Sequence, residues 1–512
     1  MSNNKLLKNK LLVFALLFLI GFLVHFKSFQ MVPYGDDWKF IYNFFTHEEI
    51  GSNFSFLPGI FSYLAPYGPS ILTIGFLYKI FGEMYFIYYL FPLIFKILTA
   101  FFLFITLQQI SGILKKSNYL TNFLSATLFL AGATGLQAVD WSMNMNVYIG
   151  LSFFVLSLFF QIKFHSFSGK LNLILGLILS LFSIIIIPIR LSSIIFIVPL
   201  IDLIMIIRNK DKTIRTVIVL KNVIFGVFIF VFWLIGVFGI GAASIYSPYP
   251  HPIEKFIYTV SSAPLAVLNV FLHWVGAMIL PVYPVSNTLW TQLTGATFLI
   301  LLLVILYKYR SKYIIIGCLV FLIPLILMWM ITPLRIIDSA DRYLPFAFLG
   351  LCFLIGLLSM FAGKWKNIFK IIIILIILMQ IYSVNRIYSY WLVIGRGYGF
   401  INEVQRQIMN HFPAPIRSSR IVYLDFDDGS VQQSVVFGLG YRIAVLSGTK
   451  NISLFPKLVA DKPTLIKSIK EEMTRDIPGE RVINSIAAFQ YKNKEFSDVT
   501  SAIQEILREE IK

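Results

Sequence analysis

Two adjacent aspartates, Asp36 and Asp37, are the residues of this chain best suited to chemistry. They lie in the run PYGDDW at residues 33–38, directly after a first apolar stretch. Two neighbouring carboxylates at the mouth of a membrane helix are costly to desolvate and repel each other. A solvated loop is the plain alternative for such a pair. The position instead favours a catalytic acid pair that faces a membrane-bound substrate.

The chemistry open to this pair is of two kinds. A carboxylate beside another has a raised pKa, which suits a general base near neutral pH. Alternatively, the oxygens of Asp36 and Asp37 are suited to hold a divalent cation, Mg²⁺ or Mn²⁺. If the pair supplies a base, Asp36 is favoured, because Gly35 beside it lets the backbone approach a substrate closely.

Three arginines are candidates for binding a phosphate group. Arg335 and Arg342 flank Asp338 and Asp341 in one predicted outer loop. At the mouth of the following span, the guanidinium of Arg342 is suited to bind a lipid-linked phosphate through a bidentate fork. An interfacial arginine that snorkels to lipid headgroups is the alternative. Arg190 breaks the charge pattern of the outer loops and therefore needs a partner, either a carboxylate or a phosphate.

Further residues of the predicted outer loops are candidates for lining the same cavity. Lys255 and the histidines are suited to contact a phosphate or an acceptor, although a single interfacial histidine is more often structural. Tryptophan in such loops is commonly part of the interfacial aromatic belt. The candidates for lining are Trp38, Tyr67, Asp140, His251, Lys255, His273 and Tyr343.

The composition is that of an all-α polytopic membrane protein. Hydrophobic residues make up 58% of the chain, charged residues make up 13%, and the mean hydropathy is +0.80. The net charge of +18 does not indicate nucleic acid, because much of the excess lies in short loops where lysine and arginine set topology. Cys318 and Cys352 lie inside apolar runs, which predicts buried thiols.

Apolar runs predict about 11 membrane spans, in a range of about 10 to 13. Basic and acidic residues segregate into alternate loops, which predicts a cytoplasmic N-terminus and an outer location for Asp36 and Asp37 at the cell membrane. Residues 54–82 and 253–283 fit poorly as spans and are predicted to form short helices in the outer interface. The predicted spans cover residues 11–27, 86–110, 119–137, 146–163, 171–188, 191–207, 221–241, 292–307, 313–331, 343–362 and 367–384.

From about residue 385 the long apolar runs stop and charges of both signs are interspersed. This change predicts a transmembrane catalytic domain over residues 1–384 and a small extracytoplasmic α/β domain over residues 385–512. Within the second domain the pattern predicts a strand at residues 420–426 and a turn at residues 427–429. Helices are predicted at residues 402–412 and 497–511.

Several common functional motifs are absent from the sequence. It contains no Walker lysine loop, no HExxH, no CxxC and no GxSxG. Charges inside the predicted spans are few, and Asp202 is the main exception. Because ion-coupled carriers place ionisable groups at mid-membrane, this scarcity argues against a proton- or sodium-coupled transporter.

The outer-loop motifs resemble those of the GT-C membrane glycosyltransferases, which include protein O-mannosyltransferases and the lipid A aminoarabinose transferase. The acid pair after the first span, the later run LYKIFG at residues 77–82 and the run RYLP at residues 342–345 are similar to elements of that superfamily. The resemblance covers mainly residues 1–110 and 335–400. Many members have Asp-Glu where this chain has Asp-Asp.

This resemblance implies a reaction on the outer face of the membrane. A sugar carried on a polyprenyl phosphate is attacked by an acceptor hydroxyl or amine that an aspartate activates. The acceptor is a glycan, a lipid or a protein of the cell envelope. The lipid phosphate leaves, stabilised by cations, and the anomeric configuration inverts.

Two other classes of protein fit the same predicted topology. One is a polymerase or ligase of surface glycans that uses a lipid-linked oligosaccharide and relies on outer-loop arginines. The other is a non-enzymatic transporter or flippase of lipid-linked glycans. An enzyme with a catalytic acid pair loses turnover in Asp36→Asn or Asp37→Asn, whereas a transporter keeps substantial function.

Overall fold

The chain divides into two compact units in a computed structural model. One unit comprises Met1–Lys27, Ile50–Thr73 and Tyr89–Ile387, and the other comprises Ser28–Glu49, Ile74–Tyr88 and Tyr388–Lys512. The structure describes residues 9–33, 36–46, 68–116, 118–167, 169–207, 212–239, 252–283, 288–309, 311–392, 421–426, 438–446, 448, 457–474, 478–492 and 495–511.

Seven helices of the described part are long and apolar enough to cross a membrane, or eight if one bent pair counts as a span. A straight span needs about 20 apolar residues to cross the hydrocarbon core. The chain is therefore a multi-pass membrane protein by the length and composition of its helices. The seven helices are Lys10–Gln30, Phe86–Ile113, Asn146–Phe167, Thr213–Val231, Leu289–Tyr309, Lys312–Ile331 and Gly363–Trp391.

Five further apolar helices are shorter than a typical span. Four of them overlap predicted spans, so the predicted number of about 11 spans stays a prediction. The fifth forms part of the segment at residues 54–82 that was expected in the outer interface. The five are Tyr119–Ala131, Lys170–Ile186, Ile194–Ile207, Pro345–Ser359 and Gly68–Phe81.

The segment at residues 253–283 is not one straight helix. Pro252–Ser262 and Pro264–Ile279 are separate helices, and the described parts of the pair bend by 110° at the break. The break falls at Ala263, because a residue before proline is disfavoured in helical conformation and Pro264 has no N–H to continue the hydrogen-bond ladder. The second of these helices, Pro264–Ile279, fastens a loop of the candidate site.

The second unit contains a four-stranded mixed sheet with the order β2-β1-β3-β4. Strand β1 is parallel to both β2 and β3, and β4 is antiparallel to β3. The strands are β1 (Ile421–Phe426), β2 (Lys457–Val459), β3 (Ile486–Lys492) and β4 (Glu495–Asp498), and the helices that follow are Lys462–Met473, Gly479–Asn484 and Thr500–Ile511.

The predicted strand at residues 420–426 is confirmed, since its run of β-branched and aromatic residues forms β1 with a buried core. The closing helix is also confirmed, but it begins at Thr500 because residues 495–498 pair with β3 as a strand. The predicted helix at residues 402–412 and the predicted turn at residues 427–429 lie outside the described residues. The last long helix, Lys366–Trp391, continues through the predicted boundary at residue 384.

Candidate functional site

The loop at residues 332–344, here called the arginine loop, is fastened to the helix Pro264–Ile279. The ring of His273 is hydrogen-bonded through Nε2 to the carbonyl of Ile337 at 2.7 Å, and Trp274 Nε1 donates to the carbonyl of Arg335 at 2.8 Å. His273 is fully buried, and its Nδ1 is hydrogen-bonded to a threonine hydroxyl. Its role in the structure is therefore to hold the arginine loop in place.

A second segment fixes the same loop through its backbone. Gly135 N donates to the carbonyl of Ser339 at 2.8 Å, and Gln137 N donates to the carbonyl of Ala340 at 2.9 Å. Gly135 has a φ of +74°, and a Cβ atom there would lie 2.4 Å from Pro345 Cγ. Only glycine satisfies both the positive φ and the close approach without strain. The sequence around residue 135 is thus adapted to present the arginine loop.

Three arginines surround the ring of Tyr343. The guanidinium carbon of Arg190 lies 4.1 Å from the ring centroid, that of Arg335 lies at 5.1 Å, and that of Arg342 lies at 5.8 Å. Arg342 also stacks over Trp141 at 4.4 Å. These five side chains are called the arginine cluster below. The structure thus brings together all three arginines that the sequence indicated as candidates for binding phosphate.

Asp341 fixes the shape of this cluster. Its Oδ2 pairs with Arg335 Nη2 at 2.8 Å, and its Oδ1 accepts the backbone N–H of Tyr343 at 2.9 Å. The Asp341 side chain is buried, whereas that of Arg335 is 43% exposed. An ion pair so open to water contributes little stability, so its consequence is mainly geometric. One carboxylate thereby sets both the Arg335 guanidinium and the backbone that carries the Tyr343 ring.

The arginine cluster contains buried hydrogen-bond donors that no acceptor of the described residues satisfies. They are Arg190 Nη1, Arg342 Nε and Nη1, and Trp141 Nε1. Buried polar atoms in folded proteins are nearly always paired, so a concentration of unsatisfied ones calls for an explanation. All of them are donors and most are cationic, so these groups are suited to bind a partner that accepts hydrogen bonds and carries negative charge.

The charges of the cluster act on its own titratable groups. Burial alone would raise the pKa of Tyr343, but the positive charges of Arg190, Arg342 and Arg335 outweigh burial and leave this pKa below its usual value. Asp338, in the same loop, behaves in the opposite way. Burial, together with the neighbouring Asp341 carboxylate, raises the pKa of Asp338 to about 6. The loop therefore loses the negative charge of Asp338 as the pH falls through this value.

The acid pair lies in the other compact unit, at the start of a helix. The helix Asp36–Thr46 begins at the pair, so the carboxylates lie in its first turn and not in a solvated loop. Negative side chains are favoured there by the helix dipole. Asp37 is fully buried, whereas Asp36 is partly exposed. Trp38, which follows, is buried and donates through Nε1 to the carbonyl of Pro33 at 2.9 Å.

The structure adds one arginine to this region that sequence analysis missed. Arg442 lies on the helix Leu439–Leu446, with its guanidinium carbon 5.0 Å from the Trp38 ring centroid. Its Nη2 donates to the hydroxyl of Tyr85 at 2.9 Å. No local pattern in the sequence links these residues, because more than 350 positions separate Arg442 from either partner.

The remaining predicted site residues are dispersed. Asp140 is buried next to Trp141, and Lys255 is half-buried on the helix Pro252–Ser262. Tyr67 and His251 lie outside the described residues. In the part of the chain that the structure describes, no group of three or more His, Cys, Asp or Glu side chains forms a metal-binding arrangement. Asp36 and Asp37 thus have no third ligand of these types among those residues.

Buried charged groups in the apolar helices of the described residues are more numerous than expected. Lys96 is fully buried and donates to the carbonyl of Gly132 at 3.2 Å. Asp202 is held between Lys221 at 2.5 Å and His165 at 3.0 Å, and all three side chains are buried. The expectation that Asp202 is the main exception was wrong, because hydropathy averaged over a window does not register one charged residue among many apolar ones.

No model of a known protein family and no curated protein matches the chain. The residues of the chain itself are therefore the basis for assigning a function. Two features stand out: the arginine cluster in one unit and the acid motif with Arg442 in the other.

Proposed function

We propose that the protein is a membrane glycosyltransferase of the GT-C type. It transfers a sugar from a polyprenyl-phosphate donor to a glycan, lipid or protein of the cell envelope, on the outer face of the cell membrane. The observation that carries the proposal is the set of unsatisfied donors in the arginine cluster. A lipid-linked phosphate offers acceptor oxygens to these donors, and its polyprenyl chain is compatible with apolar helices.

In this proposal the arginine cluster binds the donor phosphate. Arg342 offers two unsatisfied nitrogens of one guanidinium, Nε and Nη1, and each can donate a charge-assisted hydrogen bond to a phosphate oxygen. Arg190 contributes another such donor, and Arg335 adds charge from a position fixed by Asp341. When the bond between the anomeric carbon and the phosphate oxygen breaks, these cations stabilise the negative charge on the leaving phosphate.

Asp36 or Asp37 is the proposed base, with Asp36 favoured. The base takes the proton of the acceptor hydroxyl or amine while the acceptor attacks the anomeric carbon, and the configuration inverts. The difference in burial supports Asp36, since a partly exposed carboxylate can reach an acceptor and the fully buried Asp37 cannot do so without movement. Any divalent cation would be held by the same two carboxylates.

The proposed topology has about 11 spans, with the N-terminus in the cytoplasm and residues 385–512 outside. Seven long apolar helices support it, as do four shorter ones that overlap the predicted spans. Segregation of basic and acidic loops supports the sidedness. The acid pair and the arginine loop both fall on the outer side in this arrangement.

A specific observation also favours each alternative. The arginine cluster suits a polymerase or ligase of surface glycans, because a lipid-linked oligosaccharide on a diphosphate carries more negative charge than a monophosphate donor. The buried Lys96 and the group formed by His165, Asp202 and Lys221 suit a transporter, since intramembrane ionisable residues commonly mark a transport pathway. Asp202 already has two protein partners, so the buried ionisable group is weaker support for a transporter.

Transfer by the purified protein in lipid nanodiscs tests the proposal. A polyprenyl-monophosphate sugar and a polyprenyl-diphosphate oligosaccharide are offered separately with an extract of envelope acceptors. We expect loss of sugar from the monophosphate donor, with release of polyprenyl phosphate. Turnover of the diphosphate donor alone would support the polymerase or ligase. Movement of either intact donor across liposome membranes, without cleavage, would support the transporter.

A further inference from the structure

The C-terminal part of the chain contacts the acid-bearing helix at two adjacent residues. Arg442 lies over Trp38, and the ring of Tyr441 lies 5.5 Å from the ring of Tyr42. Trp38 and Tyr42 are four residues apart, so they lie on one face of the helix Asp36–Thr46. The helix Leu439–Leu446 thus packs along the face that adjoins the acid pair, and all of these residues belong to the same compact unit.

The surroundings of Arg442 are those of a residue built to hold a position. Its side chain is 5% exposed, and a buried guanidinium is costly unless it is paired or hydrogen-bonded. It donates to the Tyr85 hydroxyl and lies over the faces of Trp38 and Tyr85, at 5.0 and 5.5 Å. Aromatic faces attract a cation, and this attraction strengthens when the cation is desolvated.

Trp38 is in turn held tightly. It is buried, its Nε1 is hydrogen-bonded to Pro33, and its ring meets Tyr78 and Tyr85 edge-on at 6.0 and 6.1 Å. Asp37 immediately precedes it in the first turn of the helix. Any shift of Trp38 therefore moves the turn that carries both carboxylates.

We propose that Arg442 is a positioning residue for the acid pair, so that the C-terminal domain completes the proposed catalytic site. Arg442 acts through Trp38 on the orientation of the first turn of the helix Asp36–Thr46. This inference rests on the proposed function, because it gives the acid pair its catalytic role. It assigns to residues beyond 385 a part in the reaction, separate from binding of the donor phosphate.

Three variants test this role in the full-length protein in nanodiscs: Arg442→Ala, Arg442→Lys and the control Arg508→Ala. Arg508 is an exposed arginine of the same unit that donates to Asn484. For each variant, turnover and dissociation constant are measured with a polyprenyl-monophosphate sugar. Hydrogen exchange of the amides in residues 36–46 is measured by mass spectrometry, and this readout does not depend on any activity.

We expect Arg442→Ala to lower turnover by about 10²-fold, which small misplacement of a catalytic group can cost. Its donor affinity stays within about twofold, because other residues form the proposed phosphate site, and exchange in residues 36–46 becomes faster. Arg442→Lys keeps the cation over Trp38 and recovers part of both losses. Arg508→Ala matches the wild type in all three measurements.

Unchanged exchange in residues 36–46 of Arg442→Ala would overturn the positioning role, whatever the activity. Faster exchange with wild-type turnover would overturn it as well, since the contact would then be structural only. Equal loss of donor affinity and turnover would place Arg442 in donor binding and contradict the proposal. If the wild-type protein transfers no sugar, the proposed function fails, and the exchange result alone decides whether Arg442 orders the helix.

Discussion

Tyr343 is the residue around which the arginine cluster assembles. Arg335 and Arg342 lie close to it in sequence, but Arg190 comes from the short helix Pro188–Leu191, 153 positions before Tyr343, and contacts the same ring. The sequence predicts an outer loop for Arg190, where a positive charge goes against the prevailing charge pattern, and this was the signal that it needed a partner. In the described structure the partner of Arg190 is the ring of Tyr343. The Nη1 atom of Arg190 still has no acceptor among the described residues.

Arg342→Ala is expected to weaken donor binding by about 2–5 kcal/mol, the range for truncating one partner of a desolvated charge pair. Arg342→Lys keeps the charge but loses the fork, so it should still impair binding. Isothermal titration with a polyprenyl-phosphate sugar measures both. Lys308→Ala, at the C-terminal end of an apolar helix, serves as the control for general loss of positive charge. Wild-type affinity in Arg342→Ala would make this arginine an interfacial anchor only.

Asp338 is expected to make anion binding depend on pH. Its pKa of about 6 lies above its usual value, so the folded protein holds this proton more tightly than the unfolded chain does. Its contribution to stability is therefore complete below pH of about 4 and is lost as the pH rises through about 6. Over the same interval its new negative charge should weaken binding of an anion roughly 2- to 10-fold.

The measurement uses a dialkyl phosphate, whose own charge is constant between about pH 5 and pH 7. In Asp338→Asn the affinity for the dialkyl phosphate should not fall as the pH rises across this interval. The tighter binding of the lower pH should therefore persist at the higher pH. Asp498→Asn, an exposed position in the other unit, should keep the wild-type profile. A pH dependence that persists unchanged in Asp338→Asn would show that another group controls it.

At the scale of elements, the helix Asn146–Phe167 connects two polar regions. It begins close in sequence to Trp141 of the arginine cluster, and its last turn carries His165, which contacts Asp202. His165 follows Asn146 by 19 positions, which corresponds to roughly 28 Å along a helix, close to the thickness of a hydrocarbon core. The group of His165, Asp202 and Lys221 therefore lies far from the arginine cluster and joins three helices.

Removal of one member of this buried group should be strongly destabilising. Asp202→Asn leaves Lys221 buried without its carboxylate, and loss of one partner of a buried pair costs about 3–5 kcal/mol. The free energy of unfolding in mixed detergent micelles measures the effect. Lys170→Gln, at an exposed helix end of the same unit, should change it by less than about 1 kcal/mol. If Asp202→Asn also changes the free energy of unfolding by less than about 1 kcal/mol, that result would contradict the buried ion pair.

At the scale of the whole molecule, sidedness is the prediction on which the location of the reaction depends. In a background with Cys318 and Cys352 replaced by alanine, Ser501→Cys should react with an impermeant maleimide from outside in spheroplasts. Lys364→Cys should react only after permeabilisation, because its loop is predicted to be cytoplasmic. The reverse pattern would invert the topology and contradict a reaction on the outer face.

Much of the helical architecture follows from the sequence because hydropathy is a local property. Apolar runs indicated all seven long helices, and a short run of β-branched and aromatic residues indicated β1. The lengths of the helices were less predictable. Runs of similar hydropathy became helices of 28 and 13 residues, since loops and packing, and not composition, decide where each helix ends.

The site was predictable only in its residue types. The sequence indicated three arginines, Tyr343 and the acid pair, but not that Asp341 orders Arg335 or that Gly135 makes room for Pro345. Contacts such as Arg442 with Trp38 join positions that are distant in sequence, and no local pattern encodes them. Burial of Asp37 at a helix start was likewise not expected, because the pair was interpreted as part of a loop or site.

Turnover of Asp36→Asn and Asp37→Asn tests the central claim most directly. Sugar transfer from a synthetic polyprenyl-monophosphate donor is measured with the purified variants, alongside donor affinity, with Asp498→Asn as the control. Removal of a general base should lower turnover by about 10²–10⁴-fold in Asp36→Asn while donor affinity is unchanged. If only Asp37→Asn is inactive, the roles of the two aspartates are exchanged and the site stands. Turnover of both variants within a fewfold of the wild type would contradict the assignment of the acid pair as the catalytic base.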